Sequence, residues 1–190
     1  MKIVTPFFFA FALVNSAFAA SLGNLKQSLK DGGIIPNVLD DFEPTSELRI
    51  TYHVTKQLTP GTDITLEEVE SAPHVWFSNA DHEAQYTLVM FDADHSSRFL
   101  RHWVVTNIDG AKPGTSVADM SPVHQYTPYQ APDIEEHRYV FALFQQPQKD
   151  QSMFPMFEEL PSDRSAFDIK RFATDNKLKL VSAIYMNAHK

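Results

Sequence analysis

The chain of 190 residues contains no cysteine, so no disulfide staples it and its stability must come from its core. It has no Asn-x-Ser/Thr sequence, which excludes N-linked glycosylation. A basic run is also missing: 16 Lys and Arg are scattered among 24 Asp and Glu, for a formal net charge of −8. Such a surface repels polyanions, which argues against nucleic acid and against general adhesion to acidic membranes. Any phosphate group this protein binds is therefore expected in a local pocket. No internal repeat, low-complexity tract or inter-domain linker is visible, so one domain is the expectation.

What is present begins with Lys2, a mostly apolar run from Ile3 to Phe18, and the small-x-small triplet Ala17-Phe18-Ala19. That order predicts a secretory leader over residues 1–19, a single domain over 20–190 and a secreted protein. The leader carries only Lys2, so its removal takes the net charge from −8 to −9. The run is shorter than a comfortable bilayer span and lacks a basic stop signal, and no later segment is long enough to cross a membrane. A mature chain of roughly 170 residues buries enough surface to fold without disulfides.

Leu22, Leu25 and Leu29 recur at helical spacing and stop at Gly32-Gly33, predicting a short amphipathic helix. ELRITYHV (47–54) alternates strictly, as a half-buried antiparallel strand does. HVWF (74–77), YTLVMF (86–91), HWVVTNI (102–108) and RYVFALFQQ (138–146) read as further strands, several apolar on both faces and hence buried on both. Phe141 and Leu143 are expected in the core. The proline-containing stretch from Ser121 to Glu136 reads as a long functional loop. Ser165 with Asp168 suggests a capping box opening a helix that turns Ala166, Ile169, Phe172 and Ala173 inward, and LKLVSAIYM reads as a closing strand. The predicted class is mainly β, two packed sheets with a few peripheral helices.

The polar residues gather around FDADHSSRFLRHW, residues 91–103. Asp92, Asp94, His95, His102 and His137 are zinc-ligand types, but their spacing matches no zinc motif. Ser96 or Ser97 with His102 and Asp92 has the composition of a hydrolytic triad without the G-x-S-x-G elbow that exposes its serine. A third reading is a pocket for a phosphate-bearing headgroup. Imidazoles donate to phosphate oxygens, and a carboxylate beside them holds an ammonium or orients a histidine. Asp92 ends one expected strand, His102 begins the next and His137 heads a third, so the three can meet at one mouth of a sheet.

DADHSSR resembles the D-P-D-A-P-S-R signature of the phosphatidylethanolamine-binding protein family. IIPNVLDDFEPTSELRITY, HWVVTNIDG, HRYVFALFQQ and the closing SAFDIKRFATDNKLKLVSAIYMNA are similar to that family's other segments, in order along almost the whole chain. The resemblance implies a large central antiparallel sheet packed with a smaller one, peripheral helices, no catalysis, no cofactor and no metal. It also implies a small anion pocket built from Asp92, Asp94, His102, His137 and Tyr139, with a phospholipid headgroup as ligand, while Arg98 and Arg138 brace loops. Relatives inhibit proteases or kinases, so surface-mediated inhibition of a serine protease is the alternative role. The sequence departs from the family at Ala93 and His95-Ser96, where prolines are usual, in a shortened stretch between Arg98 and His102, and in Asp133-Ile134-Glu135-Glu136, where a glycine is usual.

Overall fold

The computed structural model describes residues 7–53, 55–78, 81–96, 98–110, 124–147 and 163–190, with side chains from residue 17 onward apart from 124–126. Its centre is a six-stranded sheet. In chain order its strands are β3 (Thr62–Thr65), β5 (Gln85–Asp92), β6 (Leu100–Asp109), β7 (His124–Thr127), β8 (Arg138–Gln145) and β9 (Lys179–His189). They lie in the order β3-β9-β8-β5-β6-β7. A smaller sheet of three strands, β2-β1-β4, is made from β1 (Glu47–Tyr52), β2 (Lys56–Gln57) and β4 (His74–Ser78). All pairings are antiparallel except the edge pair β3 and β9, which is parallel.

The apolar runs explain the layering. Leu48, Ile50 and Tyr52 alternate along β1 and bury against Met90, Trp103, Tyr139, Phe141 and Leu143 of the large sheet, forming the core between sheets. The expected strand ends at Tyr52; Val54 lies outside the described residues. The intervening positions Val89, Phe91, Val104, Val140, Ala142 and Phe144 fill a second core under the helices. A sheet covered on both faces needs strands apolar at successive positions, which is what β5, β6 and β8 show. Phe141 and Leu143 are fully buried, as expected.

Helix α1 (Phe7–Asp31) differs from expectation. The leader segment and the Leu22–Leu29 segment form one continuous helix rather than two separate pieces. The single Gly23 between them costs a helix only about 1 kcal/mol relative to alanine, which is too little to break it among Ala and Leu neighbours. The helix stops where the glycines predict: Gly33 has φ 68° and the Ile34 N–H donates to the Leu29 carbonyl at 2.9 Å. A Cβ at Gly32 would lie 2.1 Å from the Tyr185 hydroxyl, so a side chain there has no room.

Two further differences concern the second half. Helix α2 (Ile169–Asp175) is capped by Asp168, whose side chain accepts from the Arg171 N–H; Ser165 is not the cap and Ala166 is exposed. Phe167 is held instead in an antiparallel bridge with Phe99, its N–H donating to the Phe99 carbonyl at 3.0 Å, and Ala166 before it takes φ 52°, so the helix cannot begin before Asp168. The stretch from Ser121 to Glu136 is not one loop, because β7 occupies four of its residues. Among its described residues, 128–136 runs free of strand and crosses the end of the large sheet, with the Gln130 N–H on the His102 carbonyl and the Glu136 N–H on the Ala188 carbonyl. Among the described residues no helix is long and apolar enough to cross a membrane.

Candidate functional site

Because β5 runs antiparallel to both β6 and β8, its C-terminal end lies beside their beginnings. Asp92 is directly opposite Leu100 on β6 and Tyr139 on β8, and Tyr139 is opposite Met186 on β9. One register row therefore carries Asp92, Tyr139 and Met186 across three strands.

A β-bulge places His102. Met90 pairs with Trp103 and the next residue, Phe91, pairs with Arg101, so His102 is the extra residue of β6. In an unbroken strand His102 would alternate with Trp103 and face the helices. The bulge lets it lie beside Tyr139 on the face between the sheets, the two rings edge to face at 5.1 Å between centroids. Arg101 points the other way, 5.7 Å above the Phe167 ring.

The hydrogen bonds fix both imidazoles. His102 Nδ1 is 2.9 Å from the Gln130 carbonyl, which can only accept, so Nδ1 carries the proton of the neutral ring. The Gln130 N–H returns a bond to the His102 carbonyl at 3.0 Å. His102 is fully buried and its Nε2 has no hydrogen-bond partner among the described residues. Burial pushes the His102 pKa down, against smaller upward effects from the Gln130 carbonyl, Asp92 and Asp133. His137, just ahead of β8, donates from Nδ1 to Asp92 Oδ2 at 2.7 Å, while Asp92 Oδ1 accepts from the Asp94 N–H at 2.8 Å. The Asp92 side chain is 0% exposed and that of His137 22%, so His137 is where this cluster meets solvent.

Tyr139 is closed off by the segment that follows β7. Its hydroxyl donates to the Ile134 carbonyl at 3.1 Å and accepts from the Ile134 N–H at 3.2 Å. Burial raises its pKa to about 12. Glu136, just ahead of β8, takes φ 61°, a left-handed conformation uncommon for a side chain of this kind.

Of the five residues singled out in the sequence, Asp92, His102, His137 and Tyr139 come together at this end of the sheet. Asp94 sits one step outside, tied to Arg138 by its backbone N–H and its guanidinium. Arg138 also donates to the Gly32 carbonyl at 2.8 Å, joining the Asp94 turn to the end of α1. Arg98 pairs with Asp168 at 3.2 Å. Of the residues with the composition of a Ser-His-Asp triad, Asp92 engages His137 rather than His102, and Ser97 lies outside the described residues. Among the described residues no three His, Asp or Glu side chains are grouped to hold a metal.

Residue-by-residue reading missed Gln130, Ile134 and Arg164. Arg164 Nη1 donates to the carbonyls of His102 and Pro128 at 2.9 and 2.8 Å, clamping the bulge to the crossing segment. The available signal was the unusual length of the 121–136 stretch. Two grooves of about 240 and 350 Å³ open elsewhere, one between α1 and β1, the other beside α2.

This combination is a mainly β fold of two packed sheets with a buried His-Tyr-Asp cluster at one end of the central sheet. The family model for phosphatidylethanolamine-binding protein matches residues 39–186, and the chain belongs to that family. It is 36% identical over 166 residues to protein TERMINAL FLOWER 1 of Arabidopsis thaliana, covering 84% of this chain and 88% of that protein. Among solved structures it is similar to the carboxypeptidase Y inhibitor complexed with its cognate proteinase, with TM-score 0.73, 23% identity, and 89% and 96% of the two chains covered. The phosphatidylethanolamine-binding protein from Plasmodium vivax superposes with TM-score 0.70 and 20% identity over 87% of this chain and 97% of that one.

Proposed function

We propose that this chain is a non-catalytic binding protein that takes a phosphate-bearing headgroup, such as that of phosphatidylethanolamine, at Asp92, His102, His137 and Tyr139. Asp94 forms the wall beside them. We further propose that it acts outside the cell after loss of its leader. The reading is carried by the contact between His137 Nδ1 and the buried Asp92 carboxylate at 2.7 Å. That bond fixes the ring and leaves Nε2 for the ligand: with both ring nitrogens protonated, Nε2–H donates to a ligand oxygen while the buried Asp92 carboxylate balances the charge, on the one residue of these four that reaches solvent. Family membership supports the headgroup as ligand class.

Titration calorimetry with phosphoethanolamine tests this. Losing one hydrogen bond to a charged group costs about 1.5–3 kcal/mol, so His137→Ala should weaken binding by roughly one to two decades. Failure of the folded wild-type protein to bind any headgroup, free or in vesicles, would move the function to its surface, with inhibition of a serine carboxypeptidase as the assay.

A further inference from the structure

The larger of the two grooves lies away from the headgroup site. Buried Leu39, Phe144 and Ile169 form its floor, and partly buried Ala173, Leu178 and Leu180 form its walls where the chain leaves α2 and enters β9. Phe144 is five residues along β8 from Tyr139, a separation of roughly 17 Å. The two also face opposite ways, Tyr139 into the core between the sheets and Phe144 into the core under the helices. A volume of about 350 Å³ falls within the range of small-molecule sites, and an apolar floor with few polar groups is their usual make-up.

The rim of this groove has one charge left over. Lys170 pairs with Asp40 at 2.8 Å and donates to the Pro36 carbonyl at 3.3 Å. The Thr174 hydroxyl has its proton on the Lys170 carbonyl at 2.8 Å, so it offers a ligand only lone pairs. Lys177 is exposed on the rim, and its side chain has no hydrogen bond or ion pair among the described residues.

Lys177 is not needed to end the helix. The carbonyls of Phe172, Ala173 and Thr174 are met by the backbone N–H groups of Asn176, Leu178 and Lys177. Its φ of 53° is the left-handed conformation in which a helix commonly ends on glycine, so the position carries a long side chain where the backbone favours none. In a chain of net charge −8, an unpaired cation at the rim of an apolar groove is complementary to an anion with an aliphatic tail.

We infer that this groove is a second ligand site, for the anion of an unbranched aliphatic carboxylic acid, with the tail on Leu39, Phe144, Ile169 and Leu180 and the carboxylate at Lys177. A monoanion balances the single unpaired ammonium, whereas a phosphate monoester would set a second negative charge near Asp40. The site is separate from the headgroup site, and neither reading requires the other.

The test is calorimetry of the folded protein with hexanoate, octanoate and decanoate at neutral pH, below the concentrations at which they form micelles, with 1-octanol and octylammonium for comparison. Burial of each further methylene should tighten binding by up to about fourfold until the groove is filled. Octanol and octylammonium should bind at least about tenfold more weakly than octanoate. Lys177→Gly should weaken octanoate by about the same factor while the melting temperature holds or rises, because glycine relieves the left-handed position. Lys177→Arg should retain binding, and His137→Ala should leave octanoate affinity unchanged. Octanoate affinity that is equal in wild type and Lys177→Gly, or equal to that of octanol, overturns the inference. So does its loss in His137→Ala, which would place the carboxylate at the headgroup site. Absence of octanoate binding overturns it as well, and a dimer in sedimentation would then mean that a second copy covers the groove. Each of these results leaves the headgroup reading standing.

Discussion

Asp94 and Arg138 hold each other through three hydrogen bonds: two from the guanidinium at 2.6 and 2.9 Å and one from the Arg138 backbone N–H at 2.8 Å. This grip lowers the Asp94 pKa below the usual carboxylate range. It makes Asp94 a brace between the turn after β5 and the start of β8. Asp94→Ala should cost about 1.5–3 kcal/mol in chemical denaturation, discounted from the sum of three charge-assisted bonds because the pair is partly exposed. Headgroup affinity in the fraction that stays folded should fall far less than in His137→Ala.

Acid should remove two contributions in sequence. His102 has a depressed pKa in the fold, so its contribution is complete above the unfolded value of about 6.5 and is lost as pH falls through the folded value. Asp94 follows the same sign at lower pH, below the unfolded carboxylate value of about 3.9. Melting temperature should therefore begin to fall below pH ~6.5 and fall again below pH ~4. A flat profile across the first interval would place His102 in water.

At the alkaline end the sign reverses. Tyr129 and Tyr139 both have pKa values raised to about 12 by burial. Their neutral forms contribute fully below the unfolded value of about 10, and that contribution is lost as pH rises through 12. Tyrosinate absorbance should show at least these two residues titrating late or only on unfolding.

Phe141 is completely buried between the sheets, opposite Met90 on one side and Ile184 on the other. Phe141→Ala should cost about 3–5 kcal/mol, a large share of the stability of a typical domain. A measured loss below roughly 1 kcal/mol would mean that β8 is not the core strand described.

With no cysteine in the chain, reductant should leave the melting temperature unchanged. N-terminal sequencing of exported protein should begin within a residue or two of Ala20. Full-length material retained in membranes with Met1 in place would contradict export.

The strands were legible because period-two alternation and doubly apolar runs are the direct trace of burial on one face or two, as in ELRITY and RYVFALF. Strand ends alone led to the expectation that Asp92, His102 and His137 meet at one sheet end, and the family resemblance added Tyr139. The bulge that turns His102 onto the face between the sheets was not legible, because a bulge is a mismatch between two strands and neither strand records it by itself. Gln130 and Ile134 were invisible for a related reason: they contribute backbone atoms, which every residue type possesses. The continuous α1 was missed because a leader and a helix have the same composition. The false cap at Ser165 arose because its pairing with Asp168 is local, while the bridge from Phe167 to Phe99 that overrides it is distant in sequence.

The interior position of β9 bears on when the protein can fold. Residues 179–189 lie between β3 and β8, and pair Thr62 with Met186 and Arg138 with Asn187. Until β9 has been synthesised, β8 lacks one neighbour, β3 has none, and the row through Asp92 and Tyr139 ends at an open edge. Contacts so distant in sequence form late and slowly. A nascent chain therefore remains extensible for almost the whole of its synthesis, which is the condition in which a polypeptide can be threaded through a translocation channel. The same delay exposes the apolar faces of β5, β6 and β8, so a chain truncated before β9 is expected to aggregate rather than to fold as a smaller domain.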